Sequence, residues 1–201
     1  MAKSHKAKAI SVLIVSTLAF TVCFMVWLMF GVIGVPIKKT LELNATQFGL
    51  LTATPVLTGS LIRVPLGMWT DKYGGRIVFF LLMLSTVVPI WLITYATEFW
   101  HFLVLGLFVG LAGGSFSVGT PYVARWFPRK RQGMAMGIYG AGNSGAAVTK
   151  LVAPVLVVAQ GETWVTHAAP LFAALTRRLV VLMEIPPDSV RACVATVGAR
   201  I

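Results

Sequence analysis

Long apolar runs, each closed by charged residues or by proline and glycine, dominate the first four fifths of this 201-residue chain. A bilayer core about 30 Å thick is crossed by about 20 residues of helix, so runs of that length predict membrane spans. Five emerge, over approximately residues 10–35, 47–69, 77–96, 100–124 and 133–158, with short connections at 36–46, 70–76, 97–99 and 125–132. Beyond residue 158 the pattern changes. Residues 161–201 contain His167, Arg177, Arg178, Glu184, Pro186, Pro187, Asp188 and Arg191 and lack an unbroken apolar run of about 18 residues, so no sixth span is drawn there. Residues 168–183 are apolar apart from Thr176, Arg177 and Arg178 and would suit a helix lying at an interface; a disordered tail is the alternative. The expected fold is an all-α membrane protein with a transmembrane unit over 1–160 and a tail of uncertain structure over 161–201.

Charge orients these spans. Lys3, Lys6 and Lys8 in the amino-terminal tail, Lys72 and Arg76 in the second connection, and Arg125, Arg129, Lys130 and Arg131 in the fourth lie on one side. Only Lys38 and Lys39 lie on the other. Cytoplasmic loops carry the excess of Lys and Arg, which places the amino terminus in the cytoplasm. Trp69, Tyr73, Phe99, Trp100, Trp126 and Phe127 lie near span ends, as interfacial belts require. A net charge of +11 would suggest a nucleic-acid partner in a soluble protein. Here 57% of residues are hydrophobic and 11% charged, against about 25% charged in soluble domains, and the cations sit in short loops. Membrane lipid, not nucleic acid, is the expected surrounding. Two cysteines, Cys23 and Cys193, make no disulfide framework or metal-ligand spacing. The basic start runs into the first span without the usual small-residue cleavage site, so that span reads as retained.

The run Gly67-Met-Trp-Thr-Asp71-Lys72-Tyr-Gly74-Gly75-Arg76 joins spans two and three. Gly67 would permit close helix approach, Asp71 would accept hydrogen bonds from a neighbouring helix end, and Gly74 with Gly75 would make the sharp turn. An ordinary glycine-containing turn with positive-inside charge is the alternative. The order of Gly, Asp, basic residue, Gly and Arg resembles the loop signature of the major facilitator superfamily, with Ile77 standing where a second basic residue is common.

Arg63 lies inside span two, on the helix face it shares with Gly59 and Gly67. A central Arg costs about 2.5 to 3.5 kcal/mol on insertion scales, so it normally faces a protein interior or a wet cavity. The six acids, Glu42, Asp71, Glu98, Glu162, Glu184 and Asp188, all fall in loops, ends or the tail, so none neutralises Arg63 within a span. An unpaired buried guanidinium favours an anion. The alternatives are a bond to backbone carbonyls or a reach to the cytoplasmic interface, about 9 Å away by helix rise.

Span five opens Gly133-Met-Ala-Met-Gly137-Ile-Tyr-Gly140-Ala-Gly142-Asn143-Ser-Gly145. Gly133, Gly137, Gly140, Ser144 and Ala147 recur at steps of three and four and predict a smooth face for close backbone packing. Asn143 offers an amide donor at mid-membrane depth. The segment 140–145 resembles the nitrate signature of the nitrate/nitrite porters within the same superfamily. So does its approach, Gly110-Leu-Ala-Gly113-Gly114-Ser-Phe116 with Pro121-Tyr122 and Trp126-Phe127-Pro128. The resemblance covers roughly residues 10–160. It implies a bacterial inner-membrane porter of nitrate or nitrite that works by alternating access and needs no cofactor. It also implies that Arg63 holds the anion's oxygens, Asn143 with Gly142 binds it, and Phe116 packs on the planar ion.

Lys150, seven residues after Asn143, would extend the positive field of that cavity or snorkel to the outer interface. His5, His101 and His167 lie at ends or in the tail and make no relay; no nucleophile and base pair, phosphate loop or metal motif is evident, so an enzyme is not expected. Two other functions stay open: a porter for another small anion, and a membrane interaction protein that transports nothing. Porters of the resembling family have twelve spans in two halves, so the chain is expected to be truncated or frame-shifted after about residue 160 and to lack its carboxy-terminal half.

Overall fold

A computed structural model of the chain describes residues 2–160, which are helical almost throughout and contain no strand. The tail 161–201, with the interfacial helix expected over 168–183, lies outside the described residues. Nine α-helices follow one another among the described residues: α1 (Ala2–Trp27), α2 (Phe30–Thr40), α3 (Ala45–Leu61), α4 (Arg63–Tyr73), α5 (Gly75–Leu92), α6 (Phe99–Gly110), α7 (Ser115–Ala124), α8 (Arg129–Gly140) and α9 (Gly145–Gln160). Short 3-10 turns at Ile93–Tyr95, Leu111–Gly114 and Ala141–Ser144 extend or join them.

The helices pair into the expected spans. Lys8–Thr40, Ala45–Tyr73, Gly75–Tyr95 and Phe99–Ala124 are long and apolar enough to cross a membrane. The fifth expected span is helical over its length as α8, the turn Ala141–Ser144 and α9, but it opens with Arg129, Lys130 and Arg131 and stands outside those four.

Two connections are shorter than the charge pattern suggests. Helix α2 absorbs the first as far as Thr40 and carries Lys38 and Lys39 in its last turn, where cations meet the unpaired carbonyls of a helix end. Helix α3 then starts on a reciprocal cap. The Asn44 side chain accepts from the Gln47 N–H at 2.9 Å, and the Gln47 side chain accepts from the Asn44 N–H at 3.1 Å. In the second connection α4 runs to Tyr73, leaving Gly74 alone between helices.

Helix α1 packs against α7, α8, α9 and the turns Leu111–Gly114 and Ala141–Ser144; α3 lies on α6, α4 on α7, and α5 on α6 and α7. Glycines set the closest approaches. A β-carbon at Gly110 would overlap the backbone of Pro55, one at Gly75 would overlap Tyr122, and one at Gly119 would overlap the Tyr139 hydroxyl. Large side chains such as Phe20, Phe30, Phe79, Met83 and Tyr139 fill the space between the helices. The outer surface is apolar in turn, with Leu61, Val64, Met134 and Leu151 largely exposed, as a lipid-facing surface requires.

Candidate anion site at the helix breaks

Span one parts at Leu28–Met29, and spans two, four and five are each interrupted near their middle. Arg63, Phe116, Gly142 and Asn143 lie at or beside those last three breaks, and Lys150 lies apart on α9. Pro65 has no N–H to give the Leu61 carbonyl, and its ring clashes there, so span two divides at Ile62 and α4 opens on Arg63. Span four tightens into the turn Leu111–Gly114, and Phe116 is the second residue of α7. In span five the turn Ala141–Ser144 holds Gly142 and Asn143. Glycines at 110, 113, 114, 140, 142 and 145 remove the side chains that would obstruct such tightening.

Arg63 is partly buried. Its Nε donates to the carbonyl oxygen of Gly113 at 3.4 Å, a long and therefore weak bond, and its guanidinium carbon lies 5.5 Å from the centre of the Trp27 ring. No carboxylate pairs with it among the described residues. The backbone-carbonyl contact weighed as an alternative thus exists, but it engages Nε and leaves the two terminal nitrogens without a hydrogen bond among the described residues.

Gly142 is buried against Phe20 of α1 so closely that a β-carbon would overlap the ring, and Gly145 meets the Thr21 backbone in the same way. Asn143, between them, is exposed, and its amide makes no hydrogen bond among the described residues. Phe116 is 40% exposed and packs on Phe20 and Tyr139, with centroids 5.7 Å and 6.3 Å away. Tyr139 stacks on Phe20 at 4.8 Å and donates its hydroxyl to the Ser115 carbonyl at 3.0 Å. Phe116 therefore neighbours the Asn143 turn through Phe20. No hydrogen bond joins Arg63 to Asn143 among the described residues.

Helix α1 connects the two regions and is what the sequence reading missed. Phe20, Phe24 and Trp27 form a ladder with successive centroids 5.0 Å apart, from the Gly142 turn to Arg63. Their spacing of four and then three residues was the available signal. Lys150 is exposed on α9, next to Thr149, whose hydroxyl donates to the Met25 carbonyl at 3.1 Å.

Three expectations about glycines change. A β-carbon at Gly67 would meet nothing within 4 Å, so Gly67 is not a close-approach point here. The same holds for Gly133, Gly137 and Gly140: the smooth face of span five has no partner among the described residues, and the packing glycines are Gly142 and Gly145 on another side. In the loop motif Gly74 alone makes the turn, with φ 89° and ψ 140°, a conformation that glycine adopts at little steric cost. Gly75 instead opens α5. Asp71 accepts from Arg125 Nη2 at 2.9 Å, joining the end of α4 to the residue that caps α7. Lys72 lies over the Tyr73 ring at 5.3 Å, and Arg76 is half-buried at the start of α5.

Comparison with known proteins bears on the family and the fold. The chain is 46% identical over 155 residues to the probable nitrate/nitrite antiporter NarK1 of Thermus thermophilus, covering 77% of this chain and 35% of that one. It is 35% identical over 145 residues to the nitrite extrusion protein of Bacillus subtilis, covering 72% and 37%. It is 34% identical over 157 residues to the probable nitrate transporter NarT of Staphylococcus carnosus, covering 78% and 40%. The chain thus spans well under half the length of these relatives. Among solved structures, a bacterial homologue of the human lysosomal transporter Spinster, inward-facing and unoccupied, matches 88% of this chain and 42% of its own. The TM-score is 0.73 at 22% identity, a likeness of fold. Residues 15–192 match the Major Facilitator Superfamily, a stretch that continues past the motifs into the tail. A multi-pass helical membrane protein with mid-span breaks and this loop motif, the chain belongs to the Major Facilitator Superfamily.

Proposed function

We propose that this chain is the amino-terminal part of a secondary transporter of nitrate or nitrite in a bacterial inner membrane, with its amino terminus in the cytoplasm. The observation that carries the reading is Arg63: a guanidinium at a mid-span helix break, held on one side by Trp27 and Gly113, with no carboxylate partner among the described residues. Relatives named as nitrate and nitrite transporters support the substrate class.

The terminal nitrogens of Arg63 form a planar fork that matches two oxygens of a planar oxyanion. Asn143 adds an amide donor, Gly142 lets that turn approach α1, and Phe116 offers an apolar surface for the face of the ion. Lys150 contributes to the positive field along span five. Discontinuous helices around a midplane site suit alternating access, in which one bundle rocks against another. On this reading the smooth face at Gly133, Gly137 and Gly140 waits for the carboxy-terminal half that supplies the other wall. The motif Gly67, Asp71, Lys72, Gly74 and Arg76 belongs to the loop that changes shape in that cycle.

The test is nitrate uptake by a host lacking its own porters and carrying this half joined to the carboxy-terminal half of the Thermus thermophilus relative. Saturable uptake is expected. Arg63→Lys keeps the charge but loses the fork, so uptake should fall at least about tenfold, the equivalent of one good charged hydrogen bond. Uptake at the parental level in Arg63→Lys overturns the assignment. Equal transport of a tetrahedral anion such as phosphate would instead favour a porter of another anion.

A further inference from the structure

We infer that Trp27 is a positioning residue for Arg63, and that Gly59 and Gly113 form the slot that admits its indole. Trp27 ends α1 and is 8% exposed. Its Nε1 donates to the Pro55 carbonyl at 2.9 Å, which fixes the ring against rotation. A β-carbon at Gly59 would come within 2.5 Å of that nitrogen, and one at Gly113 within 2.6 Å of Cε2, so only glycine leaves room on either side. Gly113 serves twice, because its carbonyl also accepts from Arg63 Nε.

The arrangement selects one orientation of the guanidinium. Its position near the indole covers part of its surface, and the Gly113 carbonyl occupies Nε, so the edge formed by the two terminal nitrogens is the part left for a ligand. A Leu at position 27 would give neither the ring nor the anchored donor. A Phe would keep a ring face but lose the bond to Pro55. Through Phe24 and Phe20 the same face of α1 also reaches the Gly142 turn, so a shift of Trp27 would move both walls of the site. The consequence for transport rests on the anion reading of Arg63. The positioning does not.

Peptide-resolved labelling with phenylglyoxal, an arginine-selective reagent, tests it on the full chain in membrane vesicles with and without nitrate. Without nitrate, Arg63 should react about tenfold faster in Trp27→Leu than in the parent, the equivalent of about 1.4 kcal/mol of lost contact, with Trp27→Phe between them. Gly59→Ala, whose β-carbon would crowd the indole nitrogen, should also accelerate labelling. Arg129 and Arg131, exposed on α8, serve as references whose rates should not move. Should Trp27→Leu fail to insert, Trp27→Phe and Gly59→Ala carry the comparison. Equal Arg63 rates in the parent and the inserted variants overturn the positioning role. Nitrate protection of Arg63 in the parent speaks to the anion site alone: Trp27-dependent rates without protection would remove the anion reading and leave the positioning, and protection with Trp27-independent rates would do the reverse.

Discussion

Gly142 lies flat against the ring of Phe20, with no space between them for a β-carbon. The contact fixes how closely the turn that carries Asn143 approaches α1. Gly142→Ala should therefore destabilise the protein by about 1 to 3 kcal/mol, the usual cost of overpacking a close contact. Gly137→Ala is the control, because nothing lies within 4 Å of its β-position, and helix propensity alone should make it neutral or stabilising. Thermal midpoints in detergent for the two variants check this. An equal response would mean that the glycines of span five are interchangeable.

Asn143 is exposed beside that contact, and removing its amide adds no charge and opens no buried cavity. Asn143→Ala should weaken nitrate affinity about tenfold or more, the equivalent of one hydrogen bond to a charged group, while leaving membrane insertion unchanged. Competition by nitrate in the joined transporter, with quantification of inserted protein, reads both. Unchanged affinity would reduce Asn143 to a spacer between the two packing glycines.

The loop between α4 and α5 separates a backbone requirement from a charge contact. Gly74 holds φ 89° and ψ 140°, a backbone region that is nearly reserved for glycine, so Gly74→Ala should cost about 1 to 3 kcal/mol through strain. The Asp71–Arg125 pair is 69% and 54% exposed, and exposed pairs contribute little. Asp71→Asn should leave the thermal midpoint nearly unchanged, and any loss of uptake in that variant would then report on the transport cycle. A larger midpoint shift for Asp71→Asn than for Gly74→Ala would reverse this ranking.

Topology is tested by cysteine accessibility in a background with Cys23 and Cys193 replaced. Lys38 lies in the last turn of α2 and Lys130 in the first turn of α8, with three of the apolar spans between them. Cysteines at these two positions should label from opposite faces, position 130 from the cytoplasm. Labelling from the same face would refute the arrangement.

The positions of the spans were legible in the sequence because the bilayer imposes a length on any apolar helix, and loop charge punctuates the chain wherever a helix ends. Arg63 was legible for a related reason: one cation in an apolar run, with every acid elsewhere, is an imbalance that composition alone exposes. Pro65 and the clustered glycines allowed the breaks at Ile62, 111–114 and 141–144, but apolar periodicity carries straight across them, so their place beside Arg63, Phe116 and Asn143 became visible only in the folded chain. Tertiary structure also decided which glycines pack. Gly133 and Gly142 belong to the same small-residue run, yet Gly133 meets open space and Gly142 meets Phe20, because the rotation of span five against α1 is set by side chains more than a hundred residues away. Trp27 shows the same limit. Its sequence neighbours mark it as one more apolar residue in span one, and its tie to Pro55 and Arg63 arises only where α1, α3 and α4 cross.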